Sequence, residues 1–239
     1  MKKEEFLNKL EENGLFLNKK QIEQLDNYAS FLKEYNQKIN LTAIDEYEEV
    51  LDKHFYDSLI GFFEIDKKAS LADVGTGAGF PGVVLKICFP ELKVSLIEPL
   101  KKRCIFLEEL INKLGLKDIE VINQRSEDIV KEHIKYDYVT ARAVSNLRIL
   151  IEICGGLVRK GGYFIALKGA NGINELLEAD KAIKTMGFSL KETKEAAIFD
   201  GSKRVIIYLH KDKDSPKAFP RKYSIIKQKP LWVKLLRSS

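Results

Sequence analysis

The sequence predicts an α/β fold: a mostly parallel sheet flanked by helices, with a helical segment in front and a basic arm behind. Three observations point there. From Ala69 onward, short apolar runs alternate with helix-length segments, the pattern of a parallel sheet covered on both faces. The first run, SLADV, leads into the glycine-rich stretch GTGAGFPG, Gly75 to Gly82. The last two runs, SLKETKEAAIF and KRVIIYLHK, are separated by a short DGS connection, hairpin spacing that turns the final strand antiparallel.

Residues 1–66 read as a helical cap. Asn18 and Gln21 have capping-box spacing, and Ile22, Leu25, Ala29, Leu32 and Ile39 then recur at helical intervals. Val50, Leu51, Phe55, Leu59 and Phe62 mark a further helix between about Glu46 and Ile65. Residues 67–210 carry the alternating pattern. Strands are expected at SLADV, VSLIE, IEVIN, YDYVT and GYFIALK, and helices over Pro81–Cys88, Lys101–Leu114, Leu147–Val158 and Ile173–Met186. With the terminal hairpin this makes seven strands. Residues 211–239 form the arm, where prolines and bases accompany Tyr223 and Trp232, aromatics that either pack on the body or stack on a base.

Bulk properties narrow the class. Of 239 residues 45% are hydrophobic and 31% charged, a globular rather than a disordered balance. No apolar run reaches membrane-spanning length, and MKKEEFLNKLEENG lacks a signal-peptide core, so a cytosolic protein with no membrane partner is expected. Cys88, Cys104 and Cys154 are odd in number and far apart in apolar segments. They read as reduced core residues without metal spacing. Nothing demands more than a monomer. The net charge of +5 is uneven: from Lys211 onward nine Lys or Arg face two Asp, giving +7 and leaving −2 before it. That arm suits a polyanion, or simply a solubilising tail.

The glycine stretch has two readings. From Gly77 it is G-x-G-x-x-G, the dinucleotide fingerprint; from Gly75 with Asp73 in front it is D-x-G-x-G-x-G, seen in S-adenosylmethionine enzymes. Glu98 lies 23 residues beyond Gly75, where an acid accepts hydrogen bonds from both ribose hydroxyls of either cofactor. Other features favour S-adenosylmethionine. The first reading leaves Gly75 unexplained, and Asp73 stands where the methyltransferase acid faces the methionine end. RSED, Arg125 to Asp128, follows the IEVIN strand, where methyltransferases build the adenine pocket. Asp73, Gly75, Gly77, Gly79 and Glu98 are thus cofactor candidates. An NAD-dependent oxidoreductase, a non-catalytic RNA-binding module and a methyltransferase of another RNA site remain the alternatives.

With these residues laid out, the chain resembles the RsmG (GidB) family of bacterial 16S rRNA guanine-N7 methyltransferases over nearly its whole length. The blocks are YNQKINLTAI (Tyr35–Ile44), HFYDSL (His54–Leu59), DVGTGAGFPG, KKRCIFL (Lys101–Leu107), ARAVSNL (Ala141–Leu147), ALKG (Ala166–Gly169) and PRK (Pro220–Lys222) before KPL. The resemblance implies a Rossmann-like class I S-adenosylmethionine-dependent methyltransferase acting at N7 of a guanine in the 530 loop, customarily position 527. Its partner would be 16S rRNA, a 30S subunit or an assembly intermediate. It further implies that Gly75 and Phe80 contact the cofactor, that Ser126 and Glu127 bind its adenosine, and that Arg142 lies beside the transferred methyl. The family often has Ala where Ser126 stands, which points to a backbone contact.

Guanine N7 carries a lone pair and no proton, so attack needs no general base. That suits a chain with three histidines and no evident nucleophile–base pair. The catalytic candidates are Arg142 and Lys168. Arg142 would position the base through O6 or a phosphate, or else pair with Asp73 or Glu98. Lys168, ending the ALKG strand, would touch RNA or cofactor, or be a surface lysine. Lys101, Lys102, Arg103, Arg125 and Arg221 are phosphate-contact candidates. His54 and Asp57 share a helix face and are expected to bond the cap to the loop below; no metal site is expected.

Overall fold

Seven strands form: β1 (Ser70–Val74), β2 (Lys93–Ile97), β3 (Ile119–Ile122), β4 (Tyr136–Arg142), β5 (Val158–Gly169), β6 (Phe188–Ala197) and β7 (Lys203–Lys211). The computed structural model describes residues 1–231, so the expectation for Trp232 lies outside the described residues. The strands make a seven-stranded, mostly parallel sheet of Rossmann-like type. They divide between two compact units, Met1–Gln124 with Ala197–Ser202, and Arg125–Ala196 with the chain from Lys203 onward.

In the first unit β3, β2 and β1 lie side by side and parallel, with Asp73 opposite Leu96 and Leu96 opposite Val121. β1 and β2 read as apolar runs because Leu71, Ala72, Leu96 and Ile97 are all buried. The N-terminal helices α1 (Lys3–Glu12) and α2 (Lys19–Asn36) belong to this unit. Asn18 and Gln21 form the expected reciprocal capping box, at 3.0 and 2.9 Å. Gln21 then donates to the carbonyls of Ile87 and Cys88, the C-terminal end of α5 (Gly82–Cys88). Phe31 stacks on Phe106 of α6 (Lys101–Leu114), ring centroids 5.5 Å apart.

The expected helix from Glu46 to Ile65 is shorter and irregular. It comprises α3 (Tyr47–Glu49), a π-helical stretch Val50–Tyr56 and α4 (Asp57–Leu59). In the π stretch all but Lys53 are buried, so the wider turn directs Asp52 and His54 inward beside apolar neighbours. Asp52 there accepts the backbone N–H groups of Phe199 (2.8 Å) and Asp200 (3.0 Å), tying down the β6–β7 connection.

In the second unit the order is β4, β5, β7, β6. β4 and β5 are parallel, whereas β7 runs antiparallel to β5 with Ala166 opposite Ile207. The antiparallel turn is therefore as expected, through a five-residue connection, Ile198–Ser202, rather than DGS alone. β6 takes the outer place, and its run SLKETKEA is mostly exposed, the charged composition of an edge strand. Helices α7 (Ser126–Ile129) and α8 (Leu147–Gly155) follow their strands. The single helix expected over Ile173–Met186 is two, α9 (Gly172–Glu178) and α10 (Asp180–Thr185), broken where Ala179 is fully buried. Beyond β7 the last helix among the described residues is α11 (Tyr223–Gln228).

Two basic residues of the arm lie inside this unit. Arg221 grips Glu152 of α8, whose side chain is fully buried, through Nε (2.7 Å), Nη2 (2.6 Å) and its backbone N–H (3.1 Å). Arg221, expected as a phosphate contact, thus has its guanidinium fork on a buried carboxylate. Breaking the pair leaves a buried charge, so Arg221→Ala is expected to lose about 3 kcal/mol or more of stability. Urea midpoints check this, and the apolar double replacement Glu152→Met/Arg221→Met should recover much of the loss.

Lys211 is likewise fully buried, donating to the carbonyls of Gly155 (2.8 Å) and Met186 (2.6 Å) and to Ser215 Oγ (2.6 Å). Burial, and then the charge of Lys135, push its pKa down to about 7. The unfolded chain keeps this proton up to the ordinary lysine range, so its contribution to stability rises with pH once above about 7. Unfolding of the wild type and of Lys211→Met at about pH 6.5 and about pH 8.5 checks the sign. The wild type should gain on the variant at the higher pH.

Candidate methyl-donor site

The glycine loop hangs from the ends of β1 and β2. Its first amides, Gly75 and Thr76, donate to Ile97 O at 2.8 and 3.3 Å, and Gly79 and Phe80 turn back onto Thr76 O. Asp73 Oδ2 accepts from Thr76 Oγ1 (2.6 Å) and from the N–H of Gly82 (2.8 Å), the first residue of α5. This carboxylate is fully buried and braces the loop from beneath. Asp73, expected to face the cofactor, thus also holds the loop, because both donors come from the loop and its helix.

Glu98, at the end of β2, is 2% exposed. One oxygen accepts the N–H of Gly77 (3.1 Å) and lies 3.6 Å from Arg103 Nη1; the other accepts the N–H of Leu100 (2.9 Å). The carbonyl of Glu98 takes Asn123 Nδ2 (3.0 Å) and Cys104 Sγ. Burial, then the nearby Glu98, raise the Cys104 thiol, so it stays protonated. Arg103, expected as a phosphate contact, thus also pairs with the loop acid. Lys101 and Lys102 remain exposed at the start of α6.

Phe80 is 6% exposed and sits between Tyr28 (centroids 5.3 Å) and His54 (4.4 Å), both rings nearly parallel to it. Its ring therefore fixes the loop to the N-terminal helices, leaving its backbone for any cofactor contact. His54 Nε2 also bonds Thr42 Oγ1 at 2.9 Å, and Tyr28 Oη donates to Ala78 O. Tyr28, Thr76 and Asn123 escape a reading based on motifs; Thr76 and Asn123 stand just past strand ends, whereas Tyr28 lies within α2 with no local signal.

In the second unit Arg142 closes β4 opposite Leu167 and is half-buried. The next residue, Ala143, has φ +56°, and the stretch up to Leu147 is held from one side. Lys168 Nζ donates to Ser145 O (2.8 Å) and pairs with Glu175 (2.8 Å), which also accepts the N–H of Leu147 (2.8 Å). Lys168, expected to contact RNA or cofactor, is 9% exposed and anchors this loop. Ser126 is buried at the first position of α7 beside Glu127, and exposed Arg125 lies over the Tyr223 ring at 5.4 Å. Among the described residues no three His, Cys, Asp or Glu side chains are grouped to hold a metal. Nor is any described helix long and apolar enough to cross a membrane.

The loop fits an adenosyl ligand by two tests. Gly77 (φ +61°) would carry a Cβ with nothing nearer than Gly75 O at 3.9 Å, so its Cα faces open space beside Glu98. Gly82 is the opposite case: a Cβ there would collide with Leu96 and meet Asp73 Oδ2 at 3.0 Å. Gly77→Ala should cost about 1–2 kcal/mol of stability from left-handed backbone and in addition weaken cofactor binding. Gly82→Ala should lose about 1–3 kcal/mol by overpacking. Thermal unfolding with and without S-adenosylmethionine separates them: the cofactor-induced rise in Tm shrinks more, relative to the stability lost, in Gly77→Ala.

Comparison with known proteins agrees with this arrangement. The family model GidB, described as rRNA small subunit methyltransferase G, matches residues 21–204. Ribosomal RNA small subunit methyltransferase G of Lysinibacillus sphaericus is 40% identical over 237 residues, covering 97% of this chain and 100% of the relative. The protein of that name from Bacillus thuringiensis is 44% identical over 225 residues, covering 92% and 94%. Among solved structures, M. jannaschii TYW2 in complex with AdoMet superposes with a TM-score of 0.54 at 15% identity, covering 71% of this chain and 79% of that one. Ribosomal protein L11 methylase of Lactobacillus delbrueckii subsp. bulgaricus gives 0.52 at 15%, covering 71% and 81%. Both are likenesses of fold. The chain belongs to the GidB family, rRNA small subunit methyltransferase G.

Proposed function

We propose that the protein transfers a methyl group from S-adenosylmethionine to N7 of a guanine in 16S rRNA, at the customary position 527 of the 530 loop. Family membership supports methylation of small-subunit rRNA. The observation that carries the cofactor assignment is the glycine loop with Glu98 bonded to its Gly77 amide. Bound S-adenosylmethionine supplies a methyl carbon made electrophilic by its sulfonium.

The chain's own residues bind and align. Glu98, with lone pairs left beyond its two amide donors, accepts the ribose hydroxyls. Gly75, Gly77 and Gly79 let the cofactor approach the backbone, with Asp73 holding the loop's shape. Ser126 and Glu127 contact the adenosine, and Lys168 with Glu175 steadies the segment that follows Arg142. Arg142 positions the guanine through O6 or a neighbouring phosphate, since a cation on the methylated purine would repel it. No proton leaves N7, so rate enhancement comes from near-attack alignment rather than from a base.

Incubating labelled cofactor with unmethylated 16S rRNA, naked and within 30S particles, tests this directly. Label is expected at one guanine N7; label at another RNA position, or in protein, overturns the assignment. Gly75→Asp, which places a carboxylate and a side chain at φ +70°, is expected to abolish transfer. Arg142→Ala should lower kcat/KM about 100-fold through misplacement of the base.

A further inference from the structure

The second unit contains a cavity of about 610 Å³ lined by Arg148, Lys181, Arg221, Gln228, Lys229, Pro230 and Leu231. Four of these side chains are cationic, and none is acidic. Glu152 and Glu178 lie behind the wall, paired with Arg221 and Arg148, so four positive charges stand against two negative ones. Lys181 and Lys229 are exposed and make no ion pair among the described residues. Arg148 is under-used: its contact with Glu178 is 3.6 Å long, and its Nε is buried without a hydrogen-bond partner. Cations crowded around one concavity repel one another until an anion arrives.

We infer that this cavity binds phosphate, and that the phosphate is a backbone group of the RNA substrate. The part naming RNA rests on the proposed function. Planar guanidinium and mobile ammonium groups converging on one concavity are the donors that phosphate oxygens take. The walls come from α8, α10 and the segment after α11, with Arg221 pinned by Glu152. The C-terminal arm thereby contributes a shaped site and not only diffuse charge.

The test uses the full-length protein, wild type and Lys181→Gln/Lys229→Gln. Lys160→Gln/Lys191→Gln, two exposed lysines elsewhere in the unit, is the control. Binding to an unmethylated rRNA fragment spanning the 530 loop is measured against salt concentration. The cavity variant should flatten the slope of log K against log salt by about 1.4–1.8, two contacts' worth, and the control should flatten it less. A parallel thermal-shift titration with pyrophosphate should protect the wild type and the control but not the cavity variant.

An unchanged slope with pyrophosphate protection intact in the wild type overturns RNA as the source and leaves a small-anion site. Neither effect, or equal effects in the control, overturns the site itself. Cavity-dependent pyrophosphate protection in a protein that methylates no rRNA supports the pocket while the proposed function falls.

Discussion

The position of the candidate site depends on one buried carboxylate. Asp73 stands next to last in β1, between the apolar residues Ala72 and Val74, and a charged group there is tolerable only if donors replace its water. The donors are the Thr76 hydroxyl and the Gly82 amide, three and nine residues further on. The carboxylate therefore bends the chain back over the strand end and satisfies an amide that the start of α5 leaves without a helical partner. Loop shape and helix start are thus set by the same atom. Gly82 has to be glycine because that closure brings its backbone against Asp73 and Leu96.

The N-terminal helices enter the same constraint from above. Tyr28 and His54 hold the Phe80 ring, and Tyr28 bonds the loop carbonyl of Ala78. Gln21 satisfies two carbonyls at the far end of α5. Helices that the sequence suggests as a separate cap are, in packing terms, the second wall of the glycine loop. Stacked aromatic contacts of this kind contribute about 0.5–1.5 kcal/mol each beyond the area they bury. More important for function, they remove the loop's freedom to open away from its strand ends.

Much of this was legible in the residues. The alternation after Ala69, the capping box at Asn18 and the antiparallel final strand all follow from local rules, and each appears where its pattern lies. The failures have a common cause, which is tertiary competition with local pattern. The run from Tyr47 to Leu59 keeps helical apolar spacing, yet burial of nearly every side chain accompanies a π register that periodicity does not announce. The segment after Gly172 breaks at Ala179 because a small residue meets the core there. Motifs pointed to the loop and its acid, but they could not say which polar groups already had partners. Lys168, Arg103 and Arg221 carry motif positions and are engaged by Glu175, Glu98 and Glu152.

That distinction changes how the chain's charge should be read. The +7 of the last 29 residues suggests a diffuse basic arm. Yet Lys211 is enclosed by carbonyls and Arg221 is forked onto a buried glutamate, so neither contributes a solvent-facing charge to a long-range field. Both instead fix the path of the arm against α8 and the β6 side of the unit. With the path fixed, the exposed cations of the arm among the described residues, Lys213, Lys217, Lys222, Lys227 and Lys229, hang from a backbone held in place at two points. A tethered cation loses less freedom on meeting a phosphate than a mobile one does. The two inward-facing bases thus set where the outward-facing ones are carried.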